Sequence, residues 1–309
     1  MKAKLSAIIL TFFMLQCLRA QQYIPLWRVG HMPNSKGIIL KDSSVNDRVY
    51  QVGVPGMYAF FPSKDDNNGA AVVIFPGGGY DHLTIDLGGF QLAKWINTLG
   101  MNAFVIKYRL PTSPDLIVRA TGPLQDAQRA LRIIRANADK WKIDINRIGV
   151  MGTSSGGHLA ALSGTHTEDV SRMQDEYDSI SFKPNFMILV SPVIDMSNVA
   201  HKSSRKNLLG QAPSAEAVHH YSLQHSVTSA TPVCFIADAF NDRAVPPQNS
   251  LLFYEALLQK GVSTSFHVFP QGGHAIGLSN NPGSTELWKQ LCDLWLKEMG
   301  FSTPATIKK

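Results

Sequence analysis

Continuous apolar runs alternate along most of the chain with stretches whose apolar residues recur at helical spacing. This spacing is clearest where Ala127, Leu131, Ile134 and Ala138 fall on one face. Apolar strands that alternate with helices form a mostly parallel sheet covered on both faces, so the pattern predicts an α/β three-layer sandwich. Strands are predicted at 57–61, 70–75, 103–108, 148–151, 186–191, 233–237 and 265–269, and helices at 89–99, 123–141, 155–164, 247–260 and 284–299.

Two segments do not follow this alternation. Residues 21–56 carry scattered prolines and glycines, and they predict an arm with early edge strands. Residues 195–230 are polar and irregular in pattern, and we expect His219, His220 and His225 within them to lie at the surface. Because no predicted helix or strand fixes these imidazoles, a metal site among them is not predicted.

Glycines and polar residues follow several of the predicted central strands. Right-handed crossovers bring the carboxyl ends of parallel strands to one edge of a sheet. The loops that begin at Gly77, at Ser154, after Ala237 and after Phe269 are therefore expected to meet at that edge. The candidate chemistry lies in these loops.

The predicted strand at 148–151 leads directly into Gly152-Thr-Ser154-Ser-Gly156. Gly-x-Ser-x-Gly between a strand and a helix is typical of a nucleophile elbow, a tight turn in which the glycines leave room for the backbone. A helix that begins after Ser154 directs free N–H groups and its positive dipole end at the serine oxygen. The pattern alone recurs by chance in many chains, so the flanking strand and helix are what favour this interpretation.

A serine nucleophile needs a base, and the base needs an orienting carboxylate, in the chain order Ser, Asp, His for this kind of sheet. His274 lies in a glycine-flanked loop after the last predicted strand and is the candidate base. Asp242, just before the helix expected near Pro247, is the preferred acid, and Asp238, closer to the strand end, is the alternative. Either aspartate also suits an ordinary helix cap or turn.

The loop after the strand at 70–75 is the candidate oxyanion hole, which requires backbone N–H groups aimed at the developing negative charge. Glycine lets the backbone approach a substrate closely. Tyr80 and His82, beside this loop, are expected to line the substrate cleft. The candidate donors are the N–H groups of Gly77, Gly78, Gly79 and Ser155.

The chain has 309 residues, of which 44% are hydrophobic and 17% charged, and this composition suits one large domain at 21–309. Residues 1–20 have a basic start, an apolar run and a small residue at Ala20, which predicts a cleaved signal peptide and secreted or periplasmic export. Cys17 leaves a lipid-anchored form open. The run is short for a membrane span, so stable membrane insertion is not expected.

Charge and cysteine content exclude further classes of protein. Removal of the leader takes away three cations and lowers the formal net charge from +6 to +3, which is too slight to indicate nucleic-acid binding. Two cysteines remain, Cys234 in a predicted strand and Cys292 in the last predicted helix. A chain this large and this poor in cysteine does not depend on a disulfide, so we expect two buried free thiols.

Seven stretches of the chain together carry a recognisable pattern. They are Pro76-Gly-Gly-Gly-Tyr80, Lys107-Tyr-Arg-Leu-Pro111, Pro123-Leu-Gln-Asp-Ala-Gln-Arg-Ala130, Asp144-Ile-Asn-Arg-Ile-Gly149, Gly152-Thr-Ser-Ser-Gly-Gly-His-Leu-Ala160, Asp242-Arg-Ala-Val-Pro246 and Gly272-Gly-His274. With them the chain resembles the α/β-hydrolase superfamily, and within it secreted bacterial esterases of the acetyl xylan esterase type, akin to hormone-sensitive-lipase-like esterases. By this resemblance Ser154 is the nucleophile, His274 the base and Asp242 its orienting acid, while Ser155 and the loop at 77–79 form the oxyanion hole.

The resemblance implies a secreted serine esterase that removes acyl groups, acetyl above all, from plant polysaccharide such as xylan through an acyl-enzyme. It implies no metal and no cofactor, and its partner is a small or polymeric ester substrate. Two alternatives stay open. One is a serine peptidase of the prolyl-oligopeptidase type, which usually carries a propeller domain for which this chain has no room. The other is a non-catalytic glycan-binding protein on the same fold.

Overall fold

A computed structural model of the chain describes residues 22–28, 30–274 and 276–302. An eight-stranded sheet runs in the order β1-β4-β7-β5-β8-β9-β10-β11, and β2, β3 and β6 form a separate small sheet. The strands are β1 (Gln22–Pro25), β2 (Ser43–Val45), β3 (Arg48–Gln51), β4 (Gly56–Phe60), β5 (Ala71–Phe75), β6 (Leu83–Thr84), β7 (Asn102–Lys107), β8 (Ile148–Thr153), β9 (Phe186–Val190), β10 (Val233–Ala239) and β11 (Thr264–Phe269).

The helices cover the large sheet on both faces. The apolar residues of α2, α4 and α7 pack into one core cluster, and those of α1 and α8 pack into a second cluster on the other face. The helices are α1 (Gln91–Thr98), α2 (Thr121–Ala136), α3 (Ala138–Trp141), α4 (Ser155–Thr165), α5 (Lys202–Leu209), α6 (Ala215–His220), α7 (Gln248–Gln259) and α8 (Trp288–Glu298). The predicted α/β architecture is therefore confirmed.

The parallel part of the sheet comprises β7, β5, β8, β9, β10 and β11, and antiparallel β4 and β1 extend it at one edge. Every residue of β5 is buried, as expected for a strand with helices on both faces. The chain leaves β5 for β7 on one side and later returns to β8 on the other side. The carboxyl ends of β5 and β8 therefore flank a topological switch point, where α/β sheets place their ligand sites.

Two sequence predictions about helices are corrected. The long helix expected at 123–141 ends at Ala136, because Asn137 leaves helical geometry with φ −104° and ψ 14° and bonds its own side chain to the Ile133 carbonyl at 2.9 Å. The irregular segment at 195–230 contains α5 and α6. Ser214 caps α6 by accepting a hydrogen bond from the N–H of Ala217 at 3.1 Å, so His219 and His220 lie on a helix after all.

Helix α2 carries buried charge as well as apolar residues. Asp126 is fully buried and accepts bonds from the Arg109 guanidinium and, at 2.8 Å, from the Trp27 indole. Arg129 pairs with Asp175 and Arg132 with Asp169, and both guanidinium groups are buried. These pairs fasten the N-terminal arm and the segment after α4 to the body of the domain.

The predicted leader at 1–20 lies outside the described residues, as does Cys17. Within the described ranges, no helix combines the length and apolar character needed to cross a membrane. Cys234 and Cys292 are both buried, and both are free thiols.

Candidate active site

Ser154 lies at a strained turn between β8 and α4. Its backbone has φ 58° and ψ −123°, a conformation that non-glycine residues rarely adopt. Its N–H donates to the Val190 carbonyl at 3.1 Å, and its own carbonyl accepts from the N–H of His158 at 3.1 Å. The neighbouring strand and the new helix thus hold the strained residue in place, which is the geometry of a nucleophile elbow.

The two glycines of the elbow are required because no side chain would fit at either position. A Cβ added to Gly152 would lie 2.0 Å from the Gly156 carbonyl oxygen, and one added to Gly156 would lie 2.0 Å from the Phe75 carbonyl oxygen. No side chain fits at either distance. The sequence pattern is therefore explained by contact between the start of α4 and the ends of β5 and β8.

His274 joins Ser154 to Asp242. Its Nε2 lies 2.9 Å from Ser154 Oγ, and its Nδ1 lies 2.7 Å from Asp242 Oδ2. An ionised carboxylate only accepts hydrogen bonds, so Nδ1 carries the proton and Nε2 presents its lone pair to the serine hydroxyl. The three residues predicted from separate loops are thus brought together in the arrangement that proton transfer from Ser154 requires.

Asp242 is oriented by its own loop. Its side chain is fully buried, and Oδ1 accepts from the N–H groups of Ala244 at 2.9 Å and Val245 at 3.0 Å. Those bonds fix one carboxylate oxygen and leave Oδ2 for the imidazole. The His274 loop is held in turn by Asn241, whose Oδ1 accepts from the N–H of Gly273 at 2.9 Å.

Asp238, the alternative acid, has a different environment. Its Oδ2 accepts from Ser250 Oγ at 2.6 Å and its Oδ1 from the N–H of Ala239 at 2.8 Å. Burial raises the pKa of Asp238 to about 6. Asp242, rather than Asp238, is the carboxylate in hydrogen-bond contact with the imidazole of His274.

The glycine loop after β5 lies beside Ser154. Gly78 and Gly79 have φ values of 131° and 64°, in the left-handed region that favours glycine. A Cβ on Gly77 would lie 2.7 Å from the Thr153 carbonyl oxygen, so this residue touches the elbow directly. Ser155 is the first residue of α4, and its N–H has no acceptor within the helix.

Tyr80 does not line the cleft, and the prediction that it would is wrong. Its side chain is fully buried, and its hydroxyl lies 2.8 Å from His158 Nδ1. His158 Nε2 faces the Tyr221 carbonyl at 2.9 Å, so Nε2 carries the proton and Nδ1 accepts from Tyr80. The left-handed backbone of Tyr80, with φ 59°, turns this side chain under the loop. Burial lowers the pKa of His158 to about 4, so the ring stays neutral.

A cleft of about 580 Å³ opens above Ser154, a size typical of small-molecule sites. His82 lies on its wall, as predicted, and its Nδ1 lies 3.2 Å from Asp81 Oδ2. Apolar side chains line part of the cleft, including Leu87, Leu92 and Ile276. The cleft therefore has polar and apolar surface around one nucleophile.

His201 is a cleft residue that the sequence reasoning missed. It lies directly before α5, and its ring centroid is 6.4 Å from that of His274. Burial and the nearby His274 lower the pKa of His201. The sequence around it carries no recognisable motif, so only the path of the chain brings it to the site. Among the described residues, no group of three or more His, Cys, Asp or Glu side chains is arranged to hold a metal ion.

The sheet order, the strained serine elbow and the Ser–His–Asp contacts define an α/β hydrolase. The chain belongs to the BD-FAE family, which matches residues 57–257, more than half of the chain. A structure of an acetyl ester-xyloside bifunctional hydrolase from Caldicellulosiruptor lactoaceticus superposes with a TM-score of 0.76 at 35% identity, covering 91% of this chain and 97% of that one.

Two curated proteins are also similar in sequence. An endo-1,4-beta-xylanase B of Butyrivibrio fibrisolvens is 35% identical over 228 residues, which are 74% of this chain and 35% of that protein. An acetylxylan esterase of Xylanibacter ruminicola is 34% identical over 253 residues, which are 80% of this chain and 48% of that protein. The chain therefore matches less than half of the length of each relative.

Proposed function

We propose that this chain is a serine esterase that hydrolyses acyl esters, acetyl esters above all, on xylan-type polysaccharide. The observation that carries the proposal is the continuous hydrogen-bonded series from Ser154 Oγ through His274 to Asp242. The similar acetylxylan esterase and acetyl ester-xyloside hydrolase support the choice of substrate.

In the proposed reaction His274 Nε2 takes the proton of Ser154 Oγ as that oxygen bonds to the ester carbonyl carbon. The carbonyl oxygen becomes an oxyanion, and Asp242 stabilises the imidazolium that forms. Collapse breaks the bond to the alcohol oxygen, which takes the proton from Nε2 and leaves. Water then repeats the sequence: His274 takes its proton, the hydroxyl adds to the acyl carbon, and Ser154 leaves with a proton as the acid is released.

The oxyanion is proposed to rest on backbone N–H groups. Ser155 offers one at the start of α4, and the glycine loop at 77–79 offers the others. The N–H of Tyr80 is already engaged with Ser155 Oγ at 3.3 Å, so the glycines that precede it are the better donors. One such donor accounts for about 100- to 1,000-fold in rate.

The first test is turnover of para-nitrophenyl acetate by the protein without its predicted leader. We expect burst-phase acyl-enzyme formation by the wild type and none by Ser154→Ala. Equal and slow turnover by both proteins would contradict the proposal. Cleavage of a proline-containing dipeptide without acetate release would instead favour the peptidase, and tight glycan binding without any ester turnover would favour the binding protein.

The second test defines the ester. Acetate and ferulate release are measured from acetylated xylan, acetylated mannan, acetylated pectin and feruloylated xylan fragments. Acetate release from xylan above the other polymers is the expected result. Faster acetate release from mannan or pectin would support the proposed esterase reaction but contradict xylan as the preferred substrate.

We also propose that the protein is exported after cleavage behind Ala20, on the basis of the basic start and apolar run at 1–20. N-terminal sequencing of protein from the medium or periplasm should begin at Gln21. Labelling of Cys17 by a palmitate analogue in whole cells would show lipid anchoring instead.

A further inference from the structure

His201 lines the cleft beside the imidazole of His274. Its ring and that of His274 have centroids 6.4 Å apart and planes inclined by 27°. A Cβ placed on Gly79 would lie 3.6 Å from His201 Cε1. The imidazole of His201 is thus close both to His274 and to the glycine loop.

The orientation of the His201 ring is fixed by a buried serine. Its Nδ1 lies 2.8 Å from Oγ of Ser204, a residue with no exposed surface. This contact engages one ring nitrogen and leaves the Nε2 edge to meet a ligand. An imidazole held at Nδ1 can accept or donate at Nε2, according to its tautomer.

Helix α5 is fastened to the glycine loop and to the body of the domain. Asn207 lies six residues after His201, and its Nδ2 donates to the Gly79 carbonyl at 3.0 Å. Ahead of His201, the buried Asn249 donates to the Val199 carbonyl at 2.9 Å. His201 is therefore held on both sides along the chain, as a binding residue must be.

The proposed reaction indicates which part of the substrate lies beside the His201 imidazole. During acylation the leaving alcohol oxygen takes the proton from His274 Nε2, so the alcohol has to lie beside that imidazole. His201 neighbours the same imidazole, and Ser203 and Asn207 line the cleft next to it. These three side chains offer hydrogen-bonding groups to an alcohol that carries further hydroxyls.

We propose that His201, with Ser203 and Asn207, forms a subsite for the polyhydroxylated alcohol of the ester, and that His201 Nε2 bonds a hydroxyl next to the ester oxygen. The inference rests on the proposed function and assigns part of its sugar recognition. The lowered pKa of His201 fits this role, because a neutral ring adds no second positive charge beside the imidazolium that forms at His274.

The experiment compares two esters of the same acid. Acetylated xylo-oligosaccharides have a leaving group with further hydroxyls, whereas para-nitrophenyl acetate does not. His201→Ala should lower kcat/KM on the acetylated sugar about tenfold more than it lowers kcat/KM on para-nitrophenyl acetate, because only the sugar ester loses a hydrogen bond.

Two conservative variants and one control test whether the hydrogen-bonding atom at residue 201 has to lie at the position of imidazole Nε2. The amide of His201→Gln reaches the place of imidazole Nε2, so it should restore most of the activity on the sugar ester. The amide of His201→Asn reaches only the place of Nδ1 and should not. Lys202→Ala, at the exposed first residue of α5, should match the wild type on both esters, and the midpoint of urea unfolding is recorded for every variant.

Each other outcome overturns the inference in a distinguishable way. Equal losses on both esters in His201→Ala would mean that the ring acts through His274 or the fold. If the wild type releases acetate from the sugar and His201→Ala does so equally fast, the subsite is contradicted and the proposed function stands. A wild type that cleaves para-nitrophenyl acetate but no acetylated sugar would remove the proposed substrate and the subsite together.

Discussion

Carboxylates have different hydrogen-bond partners in two regions of the domain. Around α2, Asp126, Asp169 and Asp175 each pair with a buried guanidinium, from Arg109, Arg132 and Arg129 respectively. At the carboxyl edge of the sheet, Asp238 and Asp242 accept instead from N–H groups, a hydroxyl and an imidazole. The first region holds fixed charge pairs, whereas in the second no lysine or arginine among the described residues pairs with either carboxylate.

The difference follows from what each region has to do. The hydrogen bond from Arg129 lowers the pKa of Asp175 and keeps that carboxylate ionised beside a permanent charge. A guanidinium beside Asp242 would neutralise it in the same way and weaken its effect on the imidazolium that the proposed reaction forms at His274. Neutral donors orient Asp242 without cancelling its charge, so in the proposed reaction the carboxylate is available when positive charge develops on the ring.

The largest expected effect concerns Asp242 in the candidate active site. Asp242→Asn should lower kcat on para-nitrophenyl acetate about 10⁴-fold, because the amide no longer holds the Nδ1–H tautomer of His274. Asp238→Asn is the matched control and should keep kcat within about tenfold of the wild type. The reverse ranking of the two variants would show that the acid is Asp238, and steady-state kinetics with both proteins decides between them.

The next effect concerns α2. Asp126→Asn leaves the buried Arg109 guanidinium without its counter-charge and should lower the free energy of unfolding by about 3–5 kcal/mol. Glu176→Gln, in a surface pair with Arg28, is the control and should change it by less than about 1 kcal/mol. Urea unfolding measures both, and similar losses would mean that burial of the α2 pairs contributes no special stability.

Asp238 gives a smaller effect that depends on pH. Its pKa is about 6 in the folded protein and about 3.9 in an unfolded chain, so between these values the folded state binds more protons. The contribution of Asp238 to stability is therefore fully present below about pH 4 and is lost as pH rises through 6, by up to about 3 kcal/mol. Unfolding of the wild type and Asp238→Asn from pH 4 to 8 should diverge in this direction, and a constant difference would contradict it.

The smallest effect lies beneath the glycine loop. Tyr80→Phe removes the donor to His158 Nδ1 and should lower the free energy of unfolding by about 1–3 kcal/mol, while KM on para-nitrophenyl acetate stays unchanged. Tyr50→Phe, at a partly exposed tyrosine, should change stability by less than about 0.5 kcal/mol. A raised KM with unaltered stability in Tyr80→Phe would contradict this placement and indicate that the Tyr80 side chain contacts the substrate.

The residues that sequence reasoning located carry local signals. Ser154 lies within a five-residue pattern that the contacts of Gly152 and Gly156 explain, and His274 and Asp242 follow predicted strands in the expected order. Tyr80 also follows such a strand, yet the orientation of its side chain depends on a positive φ angle that no local sequence pattern indicates. The break at Asn137 was hidden because apolar spacing continues across it.

By itself, the sequence determined the layered α/β architecture and the edge of the sheet where the candidate site lies, because strand burial and tight turns restrict residue type over a few positions. Only the tertiary structure decided that the Tyr80 side chain packs beneath the glycine loop, that His201 lines the cleft and that the guanidinium groups of α2 are buried beside carboxylates. Those placements depend on contacts between residues tens of positions apart, and such contacts leave no periodic trace along the chain.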